Sequence, residues 1–159
     1  MTRIIFLDID GVLTNRKSGG FLFYCRSEDY VLNEYNLQCL NYILNNVKDC
    51  YIVLSTTWRN YPDNHIMIGC INGEVYKSLV PDLKMRLGDK IIGSAPHVIQ
   101  RNKYGDIVEY LNSNGCDDFV VLDDDPTQGL EGFGKQFFKI NQNDGLTLSV
   151  ATEIIKYFE

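Results

Sequence analysis

Two aspartates at the end of an apolar run are the residues of this chain best suited to chemistry. Asp8 and Asp10 follow the apolar residues 4–7 and precede Gly11. Such a run is typical of a strand buried on both faces of a sheet, and the strand period of two places both carboxylates on one side. Like charges this close repel each other, and a hard divalent cation held by oxygen ligands is the usual way to offset that repulsion. The alternative is a solvated turn, because Asp and Gly are common turn residues.

Hydrophobic periodicity predicts the elements that must position these aspartates. The predicted strands cover residues 4–7, 51–54, 119–122 and 137–140. The predicted helices cover residues 33–47, 104–111 and 151–158, with a weaker helical pattern at 79–87. This alternation predicts an α/β fold, namely a doubly wound, mainly parallel sheet with helices on both faces.

Length and composition are those of a globular protein, and we expect residues 1–159 to form one domain. The chain has 159 residues, of which 45% are hydrophobic, and no apolar stretch approaches the length of a membrane span. Its five cysteines show no C-x-x-C pair, which favours reduced thiols and a cytoplasmic location over disulfides or a zinc site. The net charge of −6 argues against a nonspecific polyanion-binding surface. No feature indicates an obligate protein partner.

Polar residues follow the first three predicted strands and precede the helix at 104–111. They are Asp8 and Asp10, then Ser55, Thr56 and Arg59, then Arg101 and Lys103, and finally Asp123, Asp124 and Asp125. Because the carboxyl ends of parallel strands meet at one edge of a sheet, we expect these side chains to assemble there. Carboxylates bind Mg²⁺, and hydroxyl and cationic groups bind phosphate oxygens. The set therefore predicts phosphoryl chemistry.

The order of these motifs resembles that of the haloacid dehalogenase-like (HAD) hydrolase superfamily over nearly the whole chain. The most specific pieces are FLDIDGVLT at residues 6–14 and VVLDDD at residues 120–125. Four further segments are similar to the HAD domain of Swiss Army Knife RNA repair proteins. They are LSTTWR at 54–59, LGDKIIGSAP at 87–96, KYGDIVEYL at 103–111 and DGLT at 144–147. The resemblance implies a Rossmann-like sheet without a large cap domain.

The resemblance also implies a Mg²⁺-dependent phosphatase that works through an aspartyl-phosphate. Asp8 would be the nucleophile, and Asp10 would be the general acid and then the general base. A second aspartate at the position of Asp10 marks the phosphatases and mutases of the superfamily, whereas its dehalogenases lack one. Ser55 would hydrogen-bond the phosphate, or Thr56 if the strand ends one residue later.

Cations and metal ligands are implied in the same way. Lys103 would neutralise phosphoryl charge. We favour it over Arg101 because its offset from Asp106 and Ile107 is that of the basic residue in the motif of the Swiss Army Knife HAD domains. The Mg²⁺ ligands would be Asp8, the backbone carbonyl of Asp10, Asp123 and Asp124. Arg59 would either clamp a phosphate or lie at the surface where a helix begins, and Asp125 would form a turn.

In the superfamily, the segment after the first strand forms a small flap over the site. Here residues 15–30 carry Arg16 and Lys17 ahead of Phe21, Phe23 and Tyr24. Such a flap could stack on a nucleobase. We favour the alternative of a hairpin with a solvated basic tip and inward-packed aromatic rings. Without a cap domain the site would be open, and the substrate would be a nucleotide, a nucleic-acid end, a small phosphorylated metabolite or a phosphoprotein.

Two other functions compete with a phosphatase. One is a HAD-like binding module without activity, although every motif carboxylate is present. The other is a receiver-like phosphoacceptor domain, which shares a doubly wound sheet, an acidic cluster and a lysine. In a receiver domain the phosphorylated aspartate ends an inner strand after the acidic pair. Here that strand ends in Ser55 and Thr56, which argues against it.

Overall fold

Strands and helices alternate along the chain. The computed structural model describes residues 1–60, 66–68 and 74–159, and of residues 59, 60 and 66–68 it describes the backbone alone. Its strands are β1 (Arg3–Leu7), β2 (Cys50–Leu54), β3 (Ile66–Ile68), β4 (Val75–Lys77), β5 (Ile91–Ser94), β6 (Asp118–Asp123) and β7 (Phe137–Lys139). Its α-helices are α1 (Glu34–Asn46), α2 (Val80–Leu87), α3 (Lys103–Asn114) and α4 (Leu148–Phe158). All of the predicted strands and helices occur, with ends shifted by a few residues.

Five strands form one parallel sheet in the order β5-β2-β1-β6-β7. Leu7 of β1 lies opposite Leu54 of β2 on one side and Leu122 of β6 on the other. The order reverses at β1, because the chain first builds the sheet toward β2 and later returns to add β6 on the opposite side. Ligands bind at the carboxyl ends of the strands at such a reversal. The predicted doubly wound α/β sheet is confirmed.

The two faces of the sheet are covered by different helices. Along β1, Ile5 and Leu7 pack in the core that contains residues of α1, α2 and α4. The alternate residues Ile4 and Phe6 pack on the other face, in the core that contains α3. This alternation follows from the side-chain period of a strand and explains why the whole run is apolar.

Three parts of the fold differ from the sequence-based expectation. The short strands β3 and β4, which pair antiparallel in a separate sheet, were not predicted. The edge strand β5 was not predicted, because Gly93, Ser94 and the half-exposed Ile92 give it no continuous apolar pattern. The segment 15–30 forms turns and a short 3-10 helix (Ser27–Asp29), so the favoured hairpin is wrong. In the described part of the chain, no helix has the length and apolar character needed to span a membrane.

Candidate active site

The carboxyl ends of β1, β2 and β6 bring the first group of predicted residues together. The backbone N–H of Asp8 donates to the carbonyl of Leu122 at 3.0 Å, and that of Ser55 donates to the carbonyl of Leu7 at 2.9 Å. These bonds continue the parallel pairing one residue past the strands. Asp8 therefore lies between the end of β2 and the end of β6.

Asp8, Asp123 and Asp124 form an acidic cluster. Each offers a carboxylate oxygen within 4.8 Å of the others, and Asp8 and Asp123 are buried. Burial and the charge of Asp8 raise the pKa of Asp124 to about 6 and raise the pKa of Asp123 as well. An added cation would relieve this electrostatic cost. Three oxygen donors of this kind fit Mg²⁺, which prefers oxygen ligands.

Gly11 lets Asp124 approach the end of β1. A Cβ atom at Gly11 would lie 2.4 Å from Cγ of Asp124, and the residue has a φ of +76°. Both the close approach and the backbone conformation favour glycine at this position. The loop after β1 is thus shaped to admit the third carboxylate of the acidic cluster.

Lys103 is the cation that the structure places at the acidic cluster. It is the first residue of α3, whose N-cap Asn102 accepts a hydrogen bond from the N–H of Gly105 at 3.0 Å. Its Nζ lies 2.6 Å from Oδ2 of Asp123 and 3.3 Å from Oδ2 of Asp8. Burial alone would lower the pKa of Lys103, but the two carboxylates outweigh it and raise the pKa. The ammonium group of Lys103 thus contacts two of the three carboxylates of the acidic cluster.

Arg101 points to a different set of acids. Its Nε donates to Oδ1 of the buried Asp106 at 2.8 Å, and its guanidinium also contacts Glu109. The side chain lines the same cavity as Asp8, but it is committed to ion pairs along α3. The geometry therefore brings Lys103, and not Arg101, into contact with Asp8.

Asp10 lies in a separate environment from the acidic cluster. The hydroxyl of Tyr30 donates to its Oδ1 at 2.7 Å, and the indole N–H of Trp58 donates to its Oδ2 at 3.0 Å. Burial, followed by the nearby charge of Asp8, raises the pKa of Asp10 to about 7, and the two hydrogen bonds oppose that rise. Asp10 can consequently exchange a proton near neutral pH.

The sequence patterns gave no role to Tyr30 or to Trp58. Trp58 is fully buried, and its N–H also reaches the carboxyl group of Asp10. The signal that could have found it is its position in STTWR, directly after a strand that ends at the site. For Tyr30, which lies 20 residues from Asp10, the sequence carried no comparable signal.

Three hydroxyl residues, Ser55, Thr56 and Thr57, directly follow β2. Ser55 and Thr56 are both buried, and Oγ1 of Thr56 accepts a hydrogen bond from the backbone N–H of Trp58 at 3.3 Å. Thr57 lines the cavity directly. The side chain of Arg59 lies outside the described residues, so its predicted contact with a phosphate stays a prediction.

A cavity of about 610 Å³ opens above these groups. Its lining includes the polar residues Asp8, Asp10, Lys103 and Asp124 and also residues 21–24 of the flap. That volume accommodates far more than a phosphoryl group. The cavity therefore has room for a sizeable leaving group beside the carboxylates.

Phe21 and Tyr24 are aromatic residues that line this cavity, and we call them, together with the adjacent Arg16, the rim. The guanidinium carbon of Arg16 lies 5.0 Å from the ring centroid of Phe21 and 4.6 Å from that of Tyr24. Tyr24 is 64% exposed, whereas Phe23 packs edge-on against Tyr76. The aromatic residues of the flap are thus divided between the core and the rim.

Comparison with known proteins identifies the family. The model of the HAD domain in Swiss Army Knife RNA repair proteins matches residues 4–151. The chain belongs to this family. No curated protein and no solved structure gave a significant match.

Membership of this family confirms the resemblance seen in the motifs. It indicates a hydrolase or phosphatase activity of the HAD type and, in general, a phosphorylated substrate. HAD proteins generally use Mg²⁺, and the acidic cluster provides a donor set that suits this ion.

Proposed function

We propose that the protein is a Mg²⁺-dependent phosphomonoesterase that forms an aspartyl-phosphate on Asp8. The observation that carries this proposal is the contrast between two aspartates separated by one residue. Asp8 lies in the acidic cluster beside Lys103, whereas Asp10 is held outside the cluster with a pKa of about 7. Two carboxyl groups with different environments suit the roles of nucleophile and general acid.

In the first step, a carboxylate oxygen of Asp8 attacks phosphorus and the bond from phosphorus to the ester oxygen breaks. Asp10 gives its proton to that oxygen, so the alcohol leaves in neutral form. In the second step, Asp10 accepts a proton from water as the water attacks the phosphorus. Inorganic phosphate leaves, and the carboxylate of Asp8 is regenerated. Dividing hydrolysis into two displacements lowers the barrier of each.

The remaining groups orient and neutralise the phosphoryl group. Lys103 contacts Asp8 and supplies a fixed positive charge beside the attacking oxygen. Ser55, with Thr56 as the alternative, would donate a hydrogen bond to a phosphoryl oxygen. Asp8, Asp123, Asp124 and the backbone carbonyl of Asp10 would hold Mg²⁺. When bound there, the ion would supply Lewis-acid stabilisation of phosphoryl charge.

For the substrate, we propose a nucleotide or a phosphorylated nucleic-acid end. The cavity is much larger than a phosphoryl group, and its rim offers Arg16, Phe21 and the exposed Tyr24. Aromatic rings and arginine planes stack on nucleobases without strong sequence preference. The name of the family, which refers to RNA repair proteins, agrees with this choice.

The activity is tested with a panel of phosphorylated oligonucleotides, nucleotides, sugars and peptides in the presence of Mg²⁺. We expect hydrolysis by the wild type and, for Asp8→Asn, a loss of all measurable turnover. Phosphate release by Asp8→Asn at the wild-type rate would contradict the proposal. Mg²⁺-dependent stabilisation without hydrolysis of any substrate would instead indicate a binding module.

The substrate class is tested separately at the rim. We expect Arg16→Ala and Tyr24→Ala to raise KM for a phosphorylated oligonucleotide by about tenfold each. The same variants should leave KM for para-nitrophenyl phosphate unchanged, because that ester is too small to need the rim. Equal changes with both substrates, or none with either, would contradict a nucleobase contact there.

A further inference from the structure

The carboxyl group of Asp10 is held by two donors, one on each oxygen. Tyr30 donates its hydroxyl proton to Oδ1, and Trp58 donates its indole N–H to Oδ2. The same indole nitrogen lies 2.6 Å from the hydroxyl oxygen of Tyr30, so the two donors also contact each other. Contacts to both oxygens fix the rotation of the carboxyl group as well as its position.

The two donors are themselves immobilised by packing. Tyr30 is 4% exposed and Trp58 is fully buried, with ring centroids 5.8 Å apart. Tyr76 packs edge-on against Tyr30 at 5.5 Å. A donor whose rotamer is locked by packing can hold an acid in one orientation without having to reorganise during the reaction.

We infer that Tyr30 and Trp58 are positioning residues for Asp10, and this inference rests on the proposed phosphatase reaction. They hold the carboxyl group of Asp10 away from the acidic cluster and toward the cavity, where the leaving oxygen of the substrate would lie. Asp10 is only two residues from Asp8 and lines the same cavity. Without the two donors, its carboxyl group would be free to rotate toward Lys103, which contacts Asp8. In that position Asp10 could not protonate a leaving group.

The experiment compares two esters of similar shape that differ in their need for a proton. The leaving group of phenyl phosphate must be protonated, whereas that of para-nitrophenyl phosphate departs readily as an anion. We use the ratio of kcat/KM for phenyl phosphate to kcat/KM for para-nitrophenyl phosphate. This ratio reports on proton donation in the first step, because kcat/KM includes steps only up to release of the alcohol. The change of this ratio in Asp10→Asn gives the full effect of losing the general acid.

We expect Tyr30→Phe to lower this ratio on the order of tenfold to hundredfold, because a small displacement of a reacting group costs that much. The variant keeps the ring and therefore its packing. Trp58→Phe should act in the same direction, although it also removes ring volume from the core. In the background of Asp10→Asn, neither substitution should lower the ratio further, since the acid through which both act is already lost.

The matched control is Tyr76→Phe. It removes a hydroxyl from the same group of packed rings, but that hydroxyl donates to the carbonyl of Cys25 at 2.6 Å. We expect it to leave the ratio unchanged. A ratio that Tyr30→Phe and Trp58→Phe do not alter, in an enzyme where Asp10→Asn does alter it, would overturn the positioning role alone. A ratio that Asp10→Asn does not alter would overturn the proposed reaction and this inference with it.

Discussion

Aspartates around the cavity differ in their properties because their surroundings differ. Asp8 and Asp124 lie in the acidic cluster, where burial and mutual repulsion raise the pKa of Asp124. Asp10 is half-buried and accepts hydrogen bonds from two aromatic donors, and its pKa is also raised. Burial works against a low pKa at Asp125, but hydrogen bonds from Thr127 and Gln128 lower it. Position relative to charge and donors is therefore the basis of the different roles that we propose for these aspartates.

At the residue scale, Lys103 and Arg101 can be distinguished by substitution. Lys103→Gln removes the charge that contacts Asp8 and should lower kcat/KM by about a hundredfold or more. Arg101→Gln breaks ion pairs with Asp106 and Glu109, so it should lower the Tm while kcat/KM stays within a few-fold of the wild type. Steady-state kinetics and thermal denaturation of both variants check this. A larger loss of kcat/KM for Arg101→Gln than for Lys103→Gln would indicate that Arg101, and not Lys103, neutralises the phosphoryl charge.

A second test at this scale concerns the close approach of Gly11 to Asp124. Gly11→Ala should displace Asp124 and weaken Mg²⁺ binding on the order of tenfold to a hundredfold. Gly115→Ala is the control, because Gly115 also has a positive φ but a Cβ atom there would meet no other atom within 4 Å. Mg²⁺ titrations followed by calorimetry should separate the two variants. Equal weakening in both would mean that backbone strain, and not contact with Asp124, is responsible.

At the element scale, the flap is anchored by a buried asparagine of α1. The side chain of Asn36 accepts from Asn15 at 2.8 Å and donates to the carbonyls of Asp144 and Leu146 at 2.9 Å each. It joins the beginning of the flap to the loop before α4. This network places one end of the flap, and Tyr30 at the other end contacts Asp10.

Loss of this network should destabilise the protein. Asn36→Ala leaves buried carbonyl groups without their donor, so we expect the free energy of unfolding to fall by about 2–4 kcal/mol. Asn46→Ala is the control, because Asn46 is exposed and should change stability by no more than about 0.5 kcal/mol. Urea denaturation measures both. Similar values for the two variants would show that the network contributes little.

Sequence predicted the elements whose pattern is set by burial on both sides. The apolar runs of β1, β2 and β6 predicted the inner strands, and the acids at the ends of β1 and β6 predicted the acidic cluster. The edge strand β5 was not predicted, because it is partly exposed and therefore has no continuous apolar run. Tyr30 and Trp58 could not be assigned to Asp10, because their meeting depends on the path of the flap. Contacts between distant segments without a periodic pattern are fixed only by the tertiary structure.

At the scale of the whole molecule, stability should depend on pH and on Mg²⁺ together. The pKa of Asp10 is raised to about 7 and that of Asp124 to about 6. A carboxyl group with a raised pKa favours the folded state below its unfolded pKa of about 4, and this contribution disappears as the pH rises through the folded pKa. The metal-free protein should therefore lose stability between about pH 4 and about pH 7 through these groups.

Thermal denaturation in chelator and in Mg²⁺ across this pH range tests that dependence. We expect the Tm in chelator to fall as the pH rises, and the stabilisation by Mg²⁺ to increase because the ligands are then ionised. Asp124→Asn should flatten both trends. A stabilisation by Mg²⁺ that does not change with pH would contradict binding at the acidic cluster.

The most direct test of the central claim is to trap the phosphoryl group on Asp8. Asp10→Asn should form the aspartyl-phosphate from para-nitrophenyl phosphate, whose leaving group needs no proton, but hydrolyse it slowly. After an acid quench, peptide mapping by mass spectrometry should place one phosphoryl group on Asp8, removable by hydroxylamine. The account predicts this adduct in Asp10→Asn and its absence in a variant that also carries Asp8→Asn. A phosphoryl group on another residue, or turnover by the wild type with no adduct on Asp8 in Asp10→Asn, would contradict it.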